Sequence, residues 1–463
     1  MSDESTFVLA TGKQLSCAQL SSLLGAKVRS FHIYNGTERI WPQSSSAILC
    51  ITGAGTPTRV FAKASAPAAN KSEASRRKEL ASNRVEARFY RDFVPVLRER
   101  GVPFFAALAI EESSPATGGM LLLLEAADEG SYFQASPLTS EQIHHALGYL
   151  AAFHAAAWEH TSLLTRASTE LHIHGGGWWS LHQREEAELA RMLECWPRVL
   201  SAFEAVDPEL VRQPSVVRLA IRLRAIAPAV SALLDVEPMA RFCTLMHGDF
   251  KAANIFLPCR GGLITADPGT ANLGTANLGA ADLGAANLGD ADLGAADLGA
   301  AGPCAAELPG APLAVGVDFQ WVGHGLGMRD VAYHLTHAAS HEALSPAGAE
   351  QGFLDSYCAQ LRARLPASAA AAFTDEVARR HYELGLVDYA RLLFSRFVTD
   401  ASEANFAATN AAPRAANIGV LFRDVRAAPR FIRRIDRLVT QLEAEFHADG
   451  EAEGCSLGVQ LAH

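Results

Sequence analysis

The stretch Leu245–Asn254 reads L-M-H-G-D-F-K-A-A-N, and Val315–Gln320 further on reads V-G-V-D-F-Q. Together they supply one acid able to orient a hydroxyl and two oxygen ligands able to hold a divalent cation. Phosphoryl transfer draws on such a set, because its catalysis is mostly positioning plus neutralisation of spreading negative charge. Asp249 would accept or orient the proton of an attacking hydroxyl, and Lys251 would reach the transferring phosphate. Asn254 and Asp318 would grip Mg2+, a hard cation that takes carboxylate and amide oxygens.

The spacing H-x-D-x-K-x-x-N equals that of the protein-kinase catalytic loop, and D-F-Q stands where that fold has D-F-G. H-G-D with an asparagine at the fifth residue after the acid, then a later D-F-Q, resembles the aminoglycoside phosphotransferase and choline-kinase-like superfamily. Within it, the D-F-Q form resembles the ecdysteroid-kinase-like branch. The resemblance implies an α+β, protein-kinase-like fold with a small β-sheet N-lobe and a larger, mainly helical C-lobe. It also implies ATP and Mg2+ as cofactors and a small-molecule hydroxyl as acceptor.

Upstream, Ala47–Thr52 and Arg59–Lys63 flank a Gly/Pro turn and read as a hairpin that ends on Lys63. By the resemblance Lys63 binds the α- and β-phosphates and pairs with a glutamate on the next helix. Val85, Phe89 and Phe93 recur at helical spacing, with Asn83 as a candidate cap. Glu86 is the favoured partner of Lys63 and Glu79 its competitor. The segment from His32 to Ser46 stands where a glycine-rich phosphate loop is expected, yet Gly36 is its only glycine. Backbone amides and the hydroxyls of Ser44–Ser46 are the alternative phosphate ligands there. Met120–Glu125 reads as a buried strand, and by the resemblance Glu125 and Ala127 belong to the hinge that meets an adenine edge.

Thr139 and Gln142 form a capping-box pair at the start of a helix with a stripe of Ile143, Ala146, Leu147, Leu150 and Ala157. His154 and Trp158 read as packed core. Trp178 and Trp179 follow three glycines and either line a substrate pocket or anchor a loop. His247 reads as a brace for the loop, Asp330 as support for its backbone, and His324 as a mobile loop residue. Tyr382, Asp388 and Arg391 are candidates for the acceptor pocket, and the Arg430–Arg437 cluster reads as a solvated helix face.

Asn254 and Asp318 stand 64 positions apart, where the family has only a short hairpin. Between its strands, Ile255–Cys259 and Leu313–Phe319, six pentapeptides such as T-A-N-L-G and A-A-D-L-G run from Thr270 to Gly299. A five-residue period fits neither an amphipathic helix nor a flat strand. It resembles a pentapeptide repeat, but six copies are few for a stacked core. The favoured reading is a tolerated surface insert at 265–312; the rival is an interaction module, whose deletion would spare catalysis.

Net charge −10 argues against a nucleic-acid-binding surface. Eight cysteines without any C-x-x-C pair fit reduced thiols. No apolar run has transmembrane length, so the expectation is a cytoplasmic protein with no membrane or nucleic-acid partner. The expected layout is an N-terminal segment 1–27, an N-lobe 28–127, a C-lobe 128–446 and a disordered tail 447–463. The expected function is γ-phosphoryl transfer from Mg·ATP to a small-molecule hydroxyl. The alternative is a pseudokinase that binds nucleotide or scaffolds.

Overall fold

A computed structural model describes residues 7–9, 14–34, 37–41, 44–66, 72–112, 119–172, 174–184, 186–259, 314–396, 403–411 and 417–452. The pentapeptide run, Leu313 and the end of the chain from 453 lie outside them.

β1 (Lys27–Ile33), β2 (Arg39–Trp41), β3 (Ser44–Ala54), β4 (Arg59–Ser65), β5 (Ala107–Glu112) and β6 (Met120–Glu125) form one antiparallel sheet. Its order is β1-β3-β4-β6-β5, with β2 on β3. Strand alternation divides its side chains between two faces. Ala47, Leu49, Val60, Ala62, Ala64, Leu121 and Leu123 face outward and pack with Phe7, Leu15 and Leu20, the last on α1 (Cys17–Leu24). The N-terminal segment thus supplies part of this lobe's core. Phe61, Leu122 and Leu124 face the other way, into the main core. Lys63 shares that inner face, paired with Leu122 on one side and Ser46 on the other.

α2 (Glu73–Arg88) runs through a π-helical turn, Phe89–Phe93, into α3 (Val94–Glu99). Asn83 therefore lies inside a helix and caps nothing. The polar turns before Val85 are helical without an apolar stripe, so periodicity does not register them. Ser44–Ser46 likewise belong to β3 rather than to a loop; their pairing with Ser65, Ala64 and Lys63 buries all three.

Beyond β6 the chain is mainly helical. β7 (Tyr132–Phe133) precedes α4 (Ser140–Ala157), whose Thr139–Gln142 capping box is formed as expected. Next come α5 (Thr161–Glu170), α6 (Glu186–Phe203), α7 (Pro208–Arg212), α8 (Pro214–Val217) and α9 (Leu219–Leu234). Short strands β8 (Cys243–Met246), β9 (Ile255–Pro258), β10 (Val315–Gly316) and β11 (Gly323–Leu326) carry the motif residues between them. α10 (Met328–Ala338), α11 (His341–Leu344), α12 (Ala349–Arg362), α13 (Ala367–Ala372), α14 (Asp375–Arg396), α15 (Glu403–Ala411) and α16 (Ala427–Ala452) complete the chain. α16 continues past Asp449, so the helix outlasts the expected start of the tail. The architecture is α+β: a small antiparallel sheet lobe and a larger helical lobe in a kinase-like arrangement. No described helix is long and apolar enough to cross a membrane.

Candidate active site

Two antiparallel ladders hold the motif. β8 pairs with β11, placing Met246 opposite Gly323, and β9 pairs with β10, placing Ile255 opposite Gly316. The first ladder delivers His247, Gly248 and Asp249 at its end. The second delivers Asn254 before β9 and Asp318 just after β10.

Asp330, in the first turn of α10, ties the loop down. Its Oδ2 accepts from the His247 N–H at 2.6 Å and its Oδ1 from the Gly248 N–H at 3.0 Å. His154 on α4 braces Asp330 from behind, with Nε2 3.3 Å from Oδ2, and is fully buried, as is the expected core residue Trp158 to nine-tenths. His247 donates from Nε2 to Val317 O at 3.0 Å, and its Nδ1 accepts from the Asp249 N–H at 3.3 Å. The histidine is thereby spent on holding the loop to the strand that leads into Asp318. Burial lowers its pKa, against the pull of Asp330 and Asp249.

Gly248 is needed at its position. Its φ is +77°, and a Cβ there would lie 2.1 Å from Trp321 O and 2.6 Å from Gly177 N. Gly248→Ala should cost about 3 kcal/mol or more, because neither obstacle is a flexible side chain. Urea unfolding of the variant checks this; a loss below about 1 kcal/mol would contradict the packing.

Around the Asp249 carboxylate three groups converge. Its Oδ2 accepts from Lys251 Nζ at 2.9 Å and from Asn254 Nδ2 at 3.2 Å. Its Oδ1 accepts from the Tyr333 hydroxyl at 2.6 Å. Tyr333, on α10 one turn past Asp330, was not among the residues singled out from sequence. The i,i+3 spacing from Asp330 is the one signal that pointed to it. Its ring stacks on Trp179 at 4.4 Å with an interplanar angle of 1°, and Trp178 Nε1 donates to its hydroxyl at 3.3 Å. Burial, then Asp249, raises the Tyr333 pKa far above the usual phenol, so it stays a donor.

Lys63 meets its expected partner. Its Nζ lies 2.6 Å from Glu86 Oε2 and 3.1 Å from Asp318 Oδ1, with all three side chains buried. Glu86, not Glu79, reaches it. Burial opposes the lysine's charge, but Asp318 and Glu86 outweigh it and raise its pKa. Asp318 is pushed up to about 7, first by burial and then by its carboxylate neighbours against the pull of Lys63. Three carboxyl groups (Glu86, Asp249, Asp318) and two ammonium groups (Lys63, Lys251) thus share one buried cluster.

Asp318 has φ +68°, a left-handed conformation that aspartate tolerates better than most residues. The next residue, Phe319, is fully buried and stacks on Phe89 at 4.3 Å, in the π turn that follows Glu86. That contact ties Asp318 to the helix that carries Glu86.

Several buried polar atoms have no hydrogen-bond partner among the described residues: Asn254 Oδ1, Glu86 Oε1, Ser46 Oγ and Ser65 Oγ. All belong to Lys63's immediate strand neighbours, its glutamate or the Asp249 loop. Among the described residues no cluster of three His, Cys, Asp or Glu forms a ready metal site. At the end of β6, the Glu125 N–H already donates to Ala106 O at 2.8 Å, while Ala127 lies two residues past the end of the strand.

Other expected site residues go elsewhere. Asp388 and Arg391 are buried in a clasp beneath the Trp178–Trp179 loop: Arg391 donates to Trp179 O and to Asp388, and Asp388 accepts from Arg329 at 3.1 Å. Tyr382 is buried on α14 beside Glu350. None of the three reaches Asp249. His324 is not a mobile residue: it lies buried on β11 opposite Leu245. Arg430 and Arg434 are half-buried, donating to Leu344 O and to Glu350 and Glu383, so only part of that cluster faces solvent.

Fold and site together define a two-lobed kinase-like protein with a buried lysine–glutamate–aspartate cluster. In agreement, residues 66–276 match the model of the phosphotransferase enzyme family. The match includes Glu86 and the Leu245–Asn254 loop, and stops short of Lys63 and Asp318. Amicoumacin kinase hAmiN, solved with AMP-PNP and Ca2+, is 12% identical with a TM-score of 0.41, covering 91% of this chain and 92% of its own. Choline kinase LicA from Streptococcus pneumoniae is 10% identical with a TM-score of 0.36, covering 90% of this chain and 96% of its own. Comparison with curated proteins gives no match.

Proposed function

We propose that the chain transfers the γ-phosphoryl group of ATP to a hydroxyl of a small-molecule acceptor, with magnesium. The observation that carries this reading is the meeting of two half-sites. Lys63, held by Glu86, contacts Asp318, and Asp318 lies within electrostatic reach of Asp249 and Lys251.

Asn254 Oδ1 and the Asp318 carboxylate would hold the metal, and the fit is good on chemistry. Both are hard oxygen donors, and Asn254 Oδ1 is buried with no hydrogen-bond partner among the described residues. The metal would supply charge neutralisation of the phosphates. Lys63 holds the α- and β-phosphate oxygens, kept in place by Glu86. Asp249 accepts the acceptor's hydroxyl proton as the oxygen bonds to phosphorus and the bridging oxygen leaves with ADP. Tyr333 fixes the rotamer of Asp249 throughout. Lys251, now paired with Asp249, neutralises charge on the transferring group. At the hinge, the Glu125 N–H is already committed, so Ala127 is left as the main-chain group for an adenine edge.

Ser46 takes over part of the work of a glycine-rich loop. It faces Lys63 across the strand pair, and its buried hydroxyl is a donor for a phosphate oxygen. Ser46→Ala should weaken Mg·ATP binding about fivefold, the worth of one hydrogen bond of about 1 kcal/mol. Calorimetric titration reads this directly, and an unchanged Kd would remove Ser46 from the site.

The reading as a whole is tested by ADP release from Mg·ATP in the presence of pooled hydroxyl metabolites. Release that requires both magnesium and the pool supports it. Tight Mg·ATP binding with no transfer to any acceptor would favour a nucleotide-binding pseudokinase.

A further inference from the structure

We propose that Asp388 is a positioning residue for the reacting carboxylate, acting on Asp249 through two arginines, the Trp179–Ser180 segment and Tyr333. The inference rests on the kinase reading above and adds to it a residue that does not itself reach Asp249.

Asp249 can take the proton of an acceptor hydroxyl only if its carboxylate is held where that hydroxyl arrives. A misplacement of about 1 Å in a reacting group can cost about a hundredfold in rate. The Tyr333 hydroxyl holds Asp249 Oδ1 at 2.6 Å. A phenol moves its hydroxyl only with its ring, so the seat of the ring sets where Oδ1 lies. That ring lies flat on Trp179, with centroids 4.4 Å apart and 1° between the planes. Tyr389, on α14, meets it edge-on at 4.8 Å.

The place of Trp179 is set in turn from Asp388. This carboxylate is buried on α14 between two guanidinium groups. Its Oδ1 accepts from Arg391 Nε at 3.4 Å and Nη2 at 3.2 Å, and its Oδ2 accepts from Arg329 Nη2 at 3.1 Å. Each arginine passes the hold on to the loop. Arg391 Nη2 also donates to Trp179 O, and Arg329 Nη2 donates to Ser180 Oγ at 2.7 Å. Ser180 Oγ donates to Gly176 O at 3.2 Å. The same segment is stitched to both motifs: the Trp178 N–H donates to Gly248 O at 3.2 Å and the Gly177 N–H to Trp321 O at 3.1 Å.

A buried ion cluster often adds no more stability than apolar side chains of the same volume. What this one adds is aim. One carboxylate directs two donors onto adjacent residues of the segment that seats the Tyr333 ring.

The test is a double-variant cycle in kcat, read from ADP release at saturating Mg·ATP with a fixed pool of hydroxyl metabolites. Asp388→Asn keeps the shape of the side chain and removes its charge, so the two arginines lose their common anchor. It should lower kcat about tenfold, as should Tyr333→Phe, with KM for Mg·ATP within about twofold of wild type. In the Tyr333→Phe background, Asp388→Asn should lower kcat by less than about threefold, because the chain of contacts is already cut at its last link. Equal factors in the two backgrounds would show that Asp388 serves the fold alone, and would overturn the inference. So would a folded Asp388→Asn with wild-type kcat, or a loss confined to KM. If circular dichroism shows Asp388→Asn unfolded, Arg391→Lys carries the same cycle, since it keeps the charge but lacks the forked guanidinium. Absence of turnover in the wild type would bring down the kinase reading, and the inference with it. Turnover with equal factors brings down the inference alone.

Discussion

Asp249→Asn should lower acceptor-dependent ADP release by about 10²–10⁴-fold while leaving Mg·ATP affinity unchanged. The side-chain amide keeps the shape of the carboxylate, so Tyr333 can still donate to the oxygen that stands in for Oδ1. The change removes the capacity to take a proton, and general-base assistance is worth about that factor. A loss confined to kcat identifies an interaction made only as the reaction proceeds. Steady-state kinetics with calorimetry on the same preparation separates the two quantities. Retention of more than about a tenth of the activity would remove Asp249 from the role of base.

Lys63→Ala should cost stability as well as activity, by about 3–5 kcal/mol. Its ammonium is the shared partner of Glu86 and Asp318, both nearly inaccessible to solvent. Without it two buried carboxylates face each other across a cavity, and one of them must take up a proton or unfold the site. Adding Glu86→Leu should recover part of the loss, because it removes one of the stranded charges. Denaturant unfolding of the single and double variants gives the coupling energy. Additive losses would show that the three groups do not act as a cluster.

The parts of the site legible in the sequence are those fixed by short-range spacing. H-G-D with Asn254 lies within one loop, Lys63 stands at the end of a hairpin strand where the resemblance looks for it, and Glu86 stands beside the apolar stripe of the next helix. Tyr333 was not legible, because its partner Asp249 lies 84 positions away and only the packing of α10 brings them together. The same holds for Asp388 and Arg391: polar residues on a helix read as pocket candidates until the loop they clasp is in view.

Glycine was read as a sign of mobility around His324, and there it means close approach. A Cβ on Gly323 would lie 2.5 Å from Gly176 N, where the backbone before Trp178 runs against β11. Serine was read as a loop residue at Ser44–Ser46, and there it starts an interior strand, with Ser46 opposite Lys63. The start of α2 was missed for a third reason. Its first turns are solvated, so they carry helix-forming residues without the apolar rhythm that marks a buried face.

The central claim is that Lys63, Asp318 and the Asp249 loop form one phosphoryl-transfer site. Its most direct test is ADP release from Mg·ATP, with pooled hydroxyl metabolites, by wild type and Asp318→Asn. Asparagine tolerates the left-handed backbone at this position, so the variant changes the charge and little else. The account predicts release that needs magnesium and acceptor in the wild type and falls by about two orders of magnitude or more in the variant. Release that is indifferent to magnesium, or undiminished in Asp318→Asn, would contradict it.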